Sequence, residues 1–235
     1  ANPTGAVYTR DELAALADVL LAHPHVLVLS DDIYEHLVFD DIPFFTIAQI
    51  EPRLAARTLT MNGVSKAYAM TGWRIGYGTG PRWLLDAMEK LQGQQTSGAS
   101  SISQHAALAA LTGPQDFITE SRSAFERRRD LVVDMINAVP GLTCPTPGGA
   151  FYAFASCSAL IGMTTATGAT LRNDGDVAAA LLDEAGVAAV HGSAFGLGPY
   201  IRIAYALDDA ALIDACRAIG AFCSSLSGRG FVAHG

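Results

Sequence analysis

Lys66 falls in the run Asn62-Gly63-Val64-Ser65-Lys66-Ala67-Tyr68-Ala69-Met70-Thr71-Gly72-Trp73-Arg74, between two apolar, strand-like stretches. A cation beside a buried sheet is normally paired or used, and an amine whose pKa is depressed there becomes a Schiff-base nucleophile. Arg74, eight residues on, is a permanent cation whose planar fork suits a phosphate. Taken alone, Lys66 reads equally well as a surface lysine snorkelling its stem along apolar neighbours.

An imine-forming amine and a phosphate-binding arginine together meet the needs of pyridoxal phosphate (PLP), which is held covalently through its aldehyde and electrostatically through its phosphate. The ring of that cofactor is an electron sink when its nitrogen stays protonated, so a carboxylate is expected beside it. Asp31 is the candidate. Val26-Leu27-Val28-Leu29-Ser30 reads as a short buried strand, and Asp31-Asp32-Ile33-Tyr34 follows at its C-terminal end, where open parallel sheets bind ligands. A carboxylate about 4 Å from a pyridinium is worth on the order of 4 kcal/mol at an effective dielectric near 20, roughly three pKa units before desolvation is subtracted. Tyr34 could offer its phenol to the same ring, whereas Asp32 reads as a solvated turn residue or helix cap.

Asn2-Pro3-Thr4-Gly5 is a turn whose Asn2 amide can donate to an oxygen, although such turns also occur for purely structural reasons. Arg202 lies in Tyr200-Ile201-Arg202-Ile203-Ala204-Tyr205, which alternates in strand fashion. An arginine fork on such a strand suits a substrate carboxylate, and an edge-strand arginine paired with a structural acid would give the same pattern.

These segments, with Pro147-Gly148-Gly149-Ala150-Phe151-Tyr152 and Gly192-Ser193-Ala194-Phe195-Gly196, occur in an order that resembles class I PLP-dependent aminotransferases of fold type I across nearly the whole chain. Gln94-Gln95-Thr96-Ser97 and Leu160-Ile161-Gly162-Met163-Thr164-Thr165 look most like the bacterial aspartate aminotransferase branch, some of whose members also act on prephenate or aromatic amino acids. The resemblance implies that Lys66 is the Schiff-base lysine and proton shuttle and that Asp31 pairs the pyridine nitrogen. It further implies that Asn2 and Tyr34 hold the ring oxygen, that Ser65 and Arg74 bind the phosphate, and that Arg202 clamps the substrate α-carboxylate. The implied reaction moves an amino group from an L-amino acid, aspartate first, to a 2-oxo acid such as 2-oxoglutarate in a homodimer, and cytoplasmic residence is the default expectation for residues with no long apolar run or secretory pattern.

The resemblance also implies that a domain-sized N-terminal portion is absent, and with it the ring-stacking aromatic and most side-chain selectivity. The segment alone would then be poorly stable, with open sheet edges and an exposed apolar face, and inactive. A PLP-dependent carbon-sulfur lyase of the same fold would keep Lys66, Asp31 and Arg202 and is the alternative enzyme. A non-catalytic sensor domain or a truncated fragment is the alternative outside catalysis.

The elements that must position these residues follow an α/β alternation, a partial PLP-dependent transferase fold with a mostly parallel large-domain sheet, flanking helices and a smaller C-terminal α/β domain. Thr9 to Glu12 reads as a capping box for a helix over about 10–22, before the strand at Val26. Strands are expected at 58–61 and 75–78, with a helix after Pro81. Ser101 to Gln104 reads as a second capping box for a helix ending near Thr112. A long helix over about 115–138, apolar along Phe117, Ile118, Phe125, Val132, Met135 and Ile136, bridges two domains, 1–125 and 126–223. Strands at 150–154, 188–190 and 201–204 and helices at 177–185 and 209–223 complete the second, and a loose tail covers 224–235.

Fifty per cent apolar and 16% charged residues suit a soluble globular core rather than a disordered chain. No 18-residue apolar run suggests a membrane span, and a formal charge of -8 argues against nucleic acid. The one basic cluster, Arg127-Arg128-Arg129, reads as a solvated helix face. Cys144, Cys157, Cys216 and Cys223 show no CxxC spacing and read as free thiols, and the six scattered histidines give no metal pattern. His191, before Gly192, reads as a neutral replacement.

Overall fold

Thr9 and Glu12 form the expected capping box, and α1 (Arg10–Ala22) starts there in the computed structural model, which describes residues 1–228. The last part of the expected loose tail, 229–235, lies outside the described residues. Leu13 and Ala17 of α1, one turn apart, pack with Ile47 and Leu54 into a small core. Arg57 closes the other end of α1 by donating to the carbonyls of Leu20, His23 and Val26, which satisfies groups a helix end leaves open.

The chain divides into two compact units: Val7–Arg122, which carries Lys66, and Ala1–Ala6 together with the residues from Ser123 onward, which carries Arg202. The Lys66 unit holds a sheet of β1 (Val28–Asp31), β2 (Thr58–Gly63) and β3 (Gly76–Thr79) in that order. β1 and β2 are parallel with Asp31 opposite Met61, and β2 and β3 are antiparallel with Gly63 opposite Gly76. Short α2 (Ile47–Ile50), α3 (Arg82–Gln95, capped by Pro81) and α4 (Ser101–Thr112) accompany it. Leu27 and Leu29 are more than half exposed. The expected Ser101 capping box does not form: the cap is Ser100 without a side-chain bond, and the Gln104 amide donates to the Ala99 carbonyl at 2.8 Å.

Helix α5 (Asp116–Asn137) runs from one unit into the other. Its apolar stripe is core only in its later turns, where Val132, Val133 and Ile136 are buried; Phe117 is 51% exposed. Arg129 corrects the reading of a solvated basic face. It is 3% exposed, with its guanidinium 2.8 Å from Asp130 and its Nη1 donating to the Pro147 carbonyl at 3.4 Å, so the buried charge is compensated.

The Arg202 unit has an antiparallel sheet of β4 (Tyr152–Ser156), β5 (Val190–His191) and β6 (Tyr200–Ala204) in the order β4-β6-β5. Ile201 and Ile203 of β6 join Ala153, Ala155, Val132, Ile136, Leu181, Leu212 and Ile219 in the main core, which also draws on α6 (Asp174–Ala185) and α7 (Asp209–Ser225). Alternation along β6 then turns Arg202 to the other face. All four cysteines are free and buried. No helix among the described residues is long and apolar enough to cross a membrane, and no group of three or more His, Cys, Asp or Glu is placed to hold a metal ion.

Candidate active site

The register of the Lys66 sheet gathers its chemistry-bearing residues at one end. Asp31 closes β1 opposite Met61, the Lys66 turn leaves β2 after Gly63, and Arg74 precedes β3, whose first residue lies opposite Gly63. Both parallel strands present their C-terminal ends here, and the antiparallel third strand presents its start, so three loops open on the same side.

Each loop is fixed locally. Asp31 is exposed and its Oδ1 accepts from the Ile33 backbone N–H at 3.2 Å. Asp32 is buried rather than solvated: it accepts from the Ser30 hydroxyl at 2.7 Å, and its N–H donates to the Met61 carbonyl at 2.9 Å, locking the end of β1 to β2. Ser65 and Lys66 are partly buried in a turn flanked by buried Val64 and Ala67. The Lys66 Nζ lies 5.9 Å from the centroid of the Tyr34 ring. On the far side of the turn, the Tyr68 hydroxyl donates to Gln115 Oε1 at 2.9 Å. Arg74 is exposed and left-handed at φ 49°, with Nη1 donating to the Thr71 carbonyl at 2.9 Å, and the Ser103 hydroxyl ties the preceding Trp73 carbonyl to α4 at 2.7 Å. A conformation unusual for a side chain larger than glycine is held there by these two bonds to the preceding turn.

Asn2 and Arg202 belong to the other unit and meet directly, Arg202 Nη1 donating to Asn2 Oδ1 at 2.8 Å. The Asn2 turn docks on the 147–149 loop through Gly149 N–H to the Gly5 carbonyl at 2.9 Å. Gly5 is at φ +67°, and a Cβ there would meet Pro147 and come 2.8 Å from the Gly149 carbonyl oxygen, so the glycine is required.

Arg202 is on the central strand of its sheet, which removes the edge-strand alternative. Its Cζ lies 4.6 Å from the Tyr152 ring centroid and 4.9 Å from that of Phe195, and its Nε is buried with no hydrogen-bond partner. A guanidinium supported by two rings and left with an unsatisfied donor is prepared for an anion. The His191 Nδ1 is likewise buried without a partner.

No sequence pattern marks Phe195, Tyr152 or Asp174 individually. Tyr152 and Phe195 sit inside the two glycine-rich segments already noted, but ring stacking on a distant arginine leaves no periodic trace. The buried Asp174 carboxylate accepts from the Ser193 N–H at 2.8 Å, from the Ser193 hydroxyl at 2.5 Å and from the Tyr200 N–H at 3.4 Å. Burial pushes its pKa up, but the bonds from Ser193 and Tyr200 outweigh burial and hold it below the ordinary range.

The sequence family described as aminotransferase class I and II matches residues 1–219. The aspartate/prephenate aminotransferase of Cereibacter sphaeroides is 60% identical over 226 residues, 96% of this chain and 56% of that protein. The aspartate aminotransferase of Rhizobium meliloti is 55% identical over 226 residues, 96% of this chain and 55% of the relative. A crystal structure of the aspartate aminotransferase from Rhizobium meliloti superposes with a TM-score of 0.93 at 54% identity, covering 97% of this chain and 57% of that one. An aromatic aminotransferase from Pyrococcus horikoshii superposes at 0.83 with 36% identity, covering 94% and 57%. The chain thus spans a little over half the length of the relatives it matches.

Proposed function

The chain belongs to the aminotransferase class I and II family, and we propose that it is part of a PLP-dependent transaminase that moves the amino group of aspartate to a 2-oxo acid such as 2-oxoglutarate. The observation that carries this reading is the Lys66 Nζ beside the Tyr34 ring, 5.9 Å from its centroid, at the sheet end that also bears Asp31 and Arg74.

The residues present fit PLP: an amine, a carboxylate, a phenol, a hydroxyl and a guanidinium stand at one sheet end, each with the chemistry one part of the cofactor demands. When bound, PLP supplies the electron sink that lets the Cα–H bond of an amino acid break. Lys66 Nζ would be its attachment point and the base that takes the proton from Cα. The Asp31 carboxylate would hold a proton on the ring nitrogen. Tyr34 and Asn2 would donate to the ring oxygen, while Arg74 and the Ser65 hydroxyl would bind the phosphate. Arg202 binds the α-carboxylate of the amino acid, whose oxygens would satisfy the Nε that is otherwise unpartnered. Fixing that carboxylate orients the Cα–H bond.

Aspartate as donor rests on the relatives named aspartate and aspartate/prephenate aminotransferases. The same reading makes the protein a cytoplasmic homodimer. Its test is the full-length protein with and without Lys66→Ala, assayed for aspartate-to-2-oxoglutarate transfer and for the visible absorbance of bound cofactor. Loss of both in the variant is expected. Transfer that survives the substitution overturns the reading, and release of pyruvate and ammonia from a cysteine thioether without an acceptor replaces it with the lyase.

A further inference from the structure

We propose that Asp174 is a positioning residue for Arg202: its buried carboxylate ties the turn that carries Phe195 to the start of the strand that carries Arg202, and so presets the guanidinium for a substrate carboxylate. The inference rests on the carboxylate-binding role proposed for Arg202.

Asp174 is not needed to cap its own helix. That task falls to Asn173, whose side chain accepts from the Asp176 N–H at 2.9 Å. The Asp174 carboxylate reaches away from α6 instead, to Ser193 in the 3₁₀ turn Gly192–Phe195 and to Tyr200, the first residue of β6. Both ends of the segment it grips bear on Arg202. Phe195 closes the turn with its ring centroid 4.9 Å from the guanidinium carbon. Tyr200 lies two residues before Arg202, and its ring stacks at 4.8 Å and 8° on Phe154, which pairs with Arg202 in the β4–β6 register.

The segment between is built to wrap the carboxylate closely. A Cβ at Gly198 would lie 2.9 Å from Asp174 Oδ2, and one at Gly192 would lie 2.7 Å from the Tyr200 Cβ. A buried anion held by charge-assisted bonds from two separate elements is a stiff joint, and stiffness in the supporting shell is what a carboxylate fork needs to bind without reordering.

The test uses the full-length, PLP-loaded protein in Asp174→Asn, Ser193→Ala and Arg202→Lys forms. KM for the 2-oxo acid, the dissociation constant of an unreactive dicarboxylate, kcat at saturation and cofactor absorbance are measured in each. Asp174→Asn and Ser193→Ala are expected to raise KM and the dissociation constant about ten-fold while kcat and absorbance stay within about two-fold. A merely structural role would lower thermal stability and cofactor retention and leave KM unmoved, which overturns the proposal. Should Asp174→Asn fail to fold, Ser193→Ala alone decides, and an unchanged KM there overturns it too. Weakening in Arg202→Lys but in neither of the others removes the positioning role and leaves the Arg202 assignment standing. Unchanged binding in all three removes both.

Discussion

The Arg202 guanidinium donates from Nη1 to the Asn2 side-chain oxygen at 2.8 Å, joining residues 200 positions apart. The bond commits one edge of the fork to the protein and leaves the buried Nε without a partner. Arg202→Lys keeps the charge but loses the planar fork and its packing on Tyr152 and Phe195. In the full-length protein, steady-state kinetics should show KM for the 2-oxo acid raised on the order of 100-fold, as for a lost charge-assisted hydrogen-bond pair worth about 2 to 3 kcal/mol. An unchanged KM would remove the carboxylate role.

Gly5→Ala tests how Asn2 is held. The substitution sets a Cβ at φ +67° against Pro147 and 2.8 Å from the Gly149 carbonyl oxygen. The turn must shift, at a cost of about 1 to 2 kcal/mol, and Asn2 moves with it. Thermal unfolding should fall by a few degrees and carboxylate binding should weaken in the same variant; weaker binding without the fall in stability would contradict this coupling.

Asp31→Asn removes the carboxylate at the end of β1 while keeping its size and its turn. If Asp31 holds the ring-nitrogen proton, kcat drops by up to about a thousand-fold, the equivalent of roughly 4 kcal/mol at an effective dielectric near 20, while cofactor is retained. Stopped-flow measurement of the half-reaction isolates this step. A near-normal rate would assign the proton to another group.

Burial, reinforced by the nearby Asp174 charge, pushes the Cys157 thiol from 9.0 up to about 12, and burial takes Cys223 to about 11. Because the native pKa values are raised, the stability these thiols contribute is complete below pH 9.0 and is lost as pH rises through 11 and 12. Alkylation followed by mass spectrometry near pH 8.5 should leave Cys157 unlabelled until urea is added, and the urea midpoint should decline once the pH passes about 9. Rapid native labelling of Cys157 would show that the thiol is accessible.

Elements announced by local chemistry were legible in the sequence. The Thr9–Glu12 pair gave the start of α1 to the residue, and Pro81 marked the start of α3. At α4 the pattern points to a Ser101 capping box, but the helix is capped one residue earlier, at Ser100, with no side-chain bond, because backbone geometry and not residue type sets where it starts. Arg129 misled because charge is written in a sequence but its compensating carboxylate and carbonyl are not. Among the candidate site residues, the placement of Asp31, Lys66 and Arg74 at strand ends was legible from the apolar runs beside them, and the observed register puts them at one sheet end. The surroundings of Arg202 were not, since Phe195 and Tyr152 meet it, and Asp174 binds Ser193 and Tyr200, through the pairing of non-adjacent segments.

Under the proposed function, Lys66 is the residue that carries the cofactor. Borohydride reduction of the full-length protein after incubation with PLP, followed by peptide mapping, should place the pyridoxyl phosphate mass on the peptide containing Lys66 and on no other lysine. The mass on Lys90, or on no peptide of this chain, would contradict it.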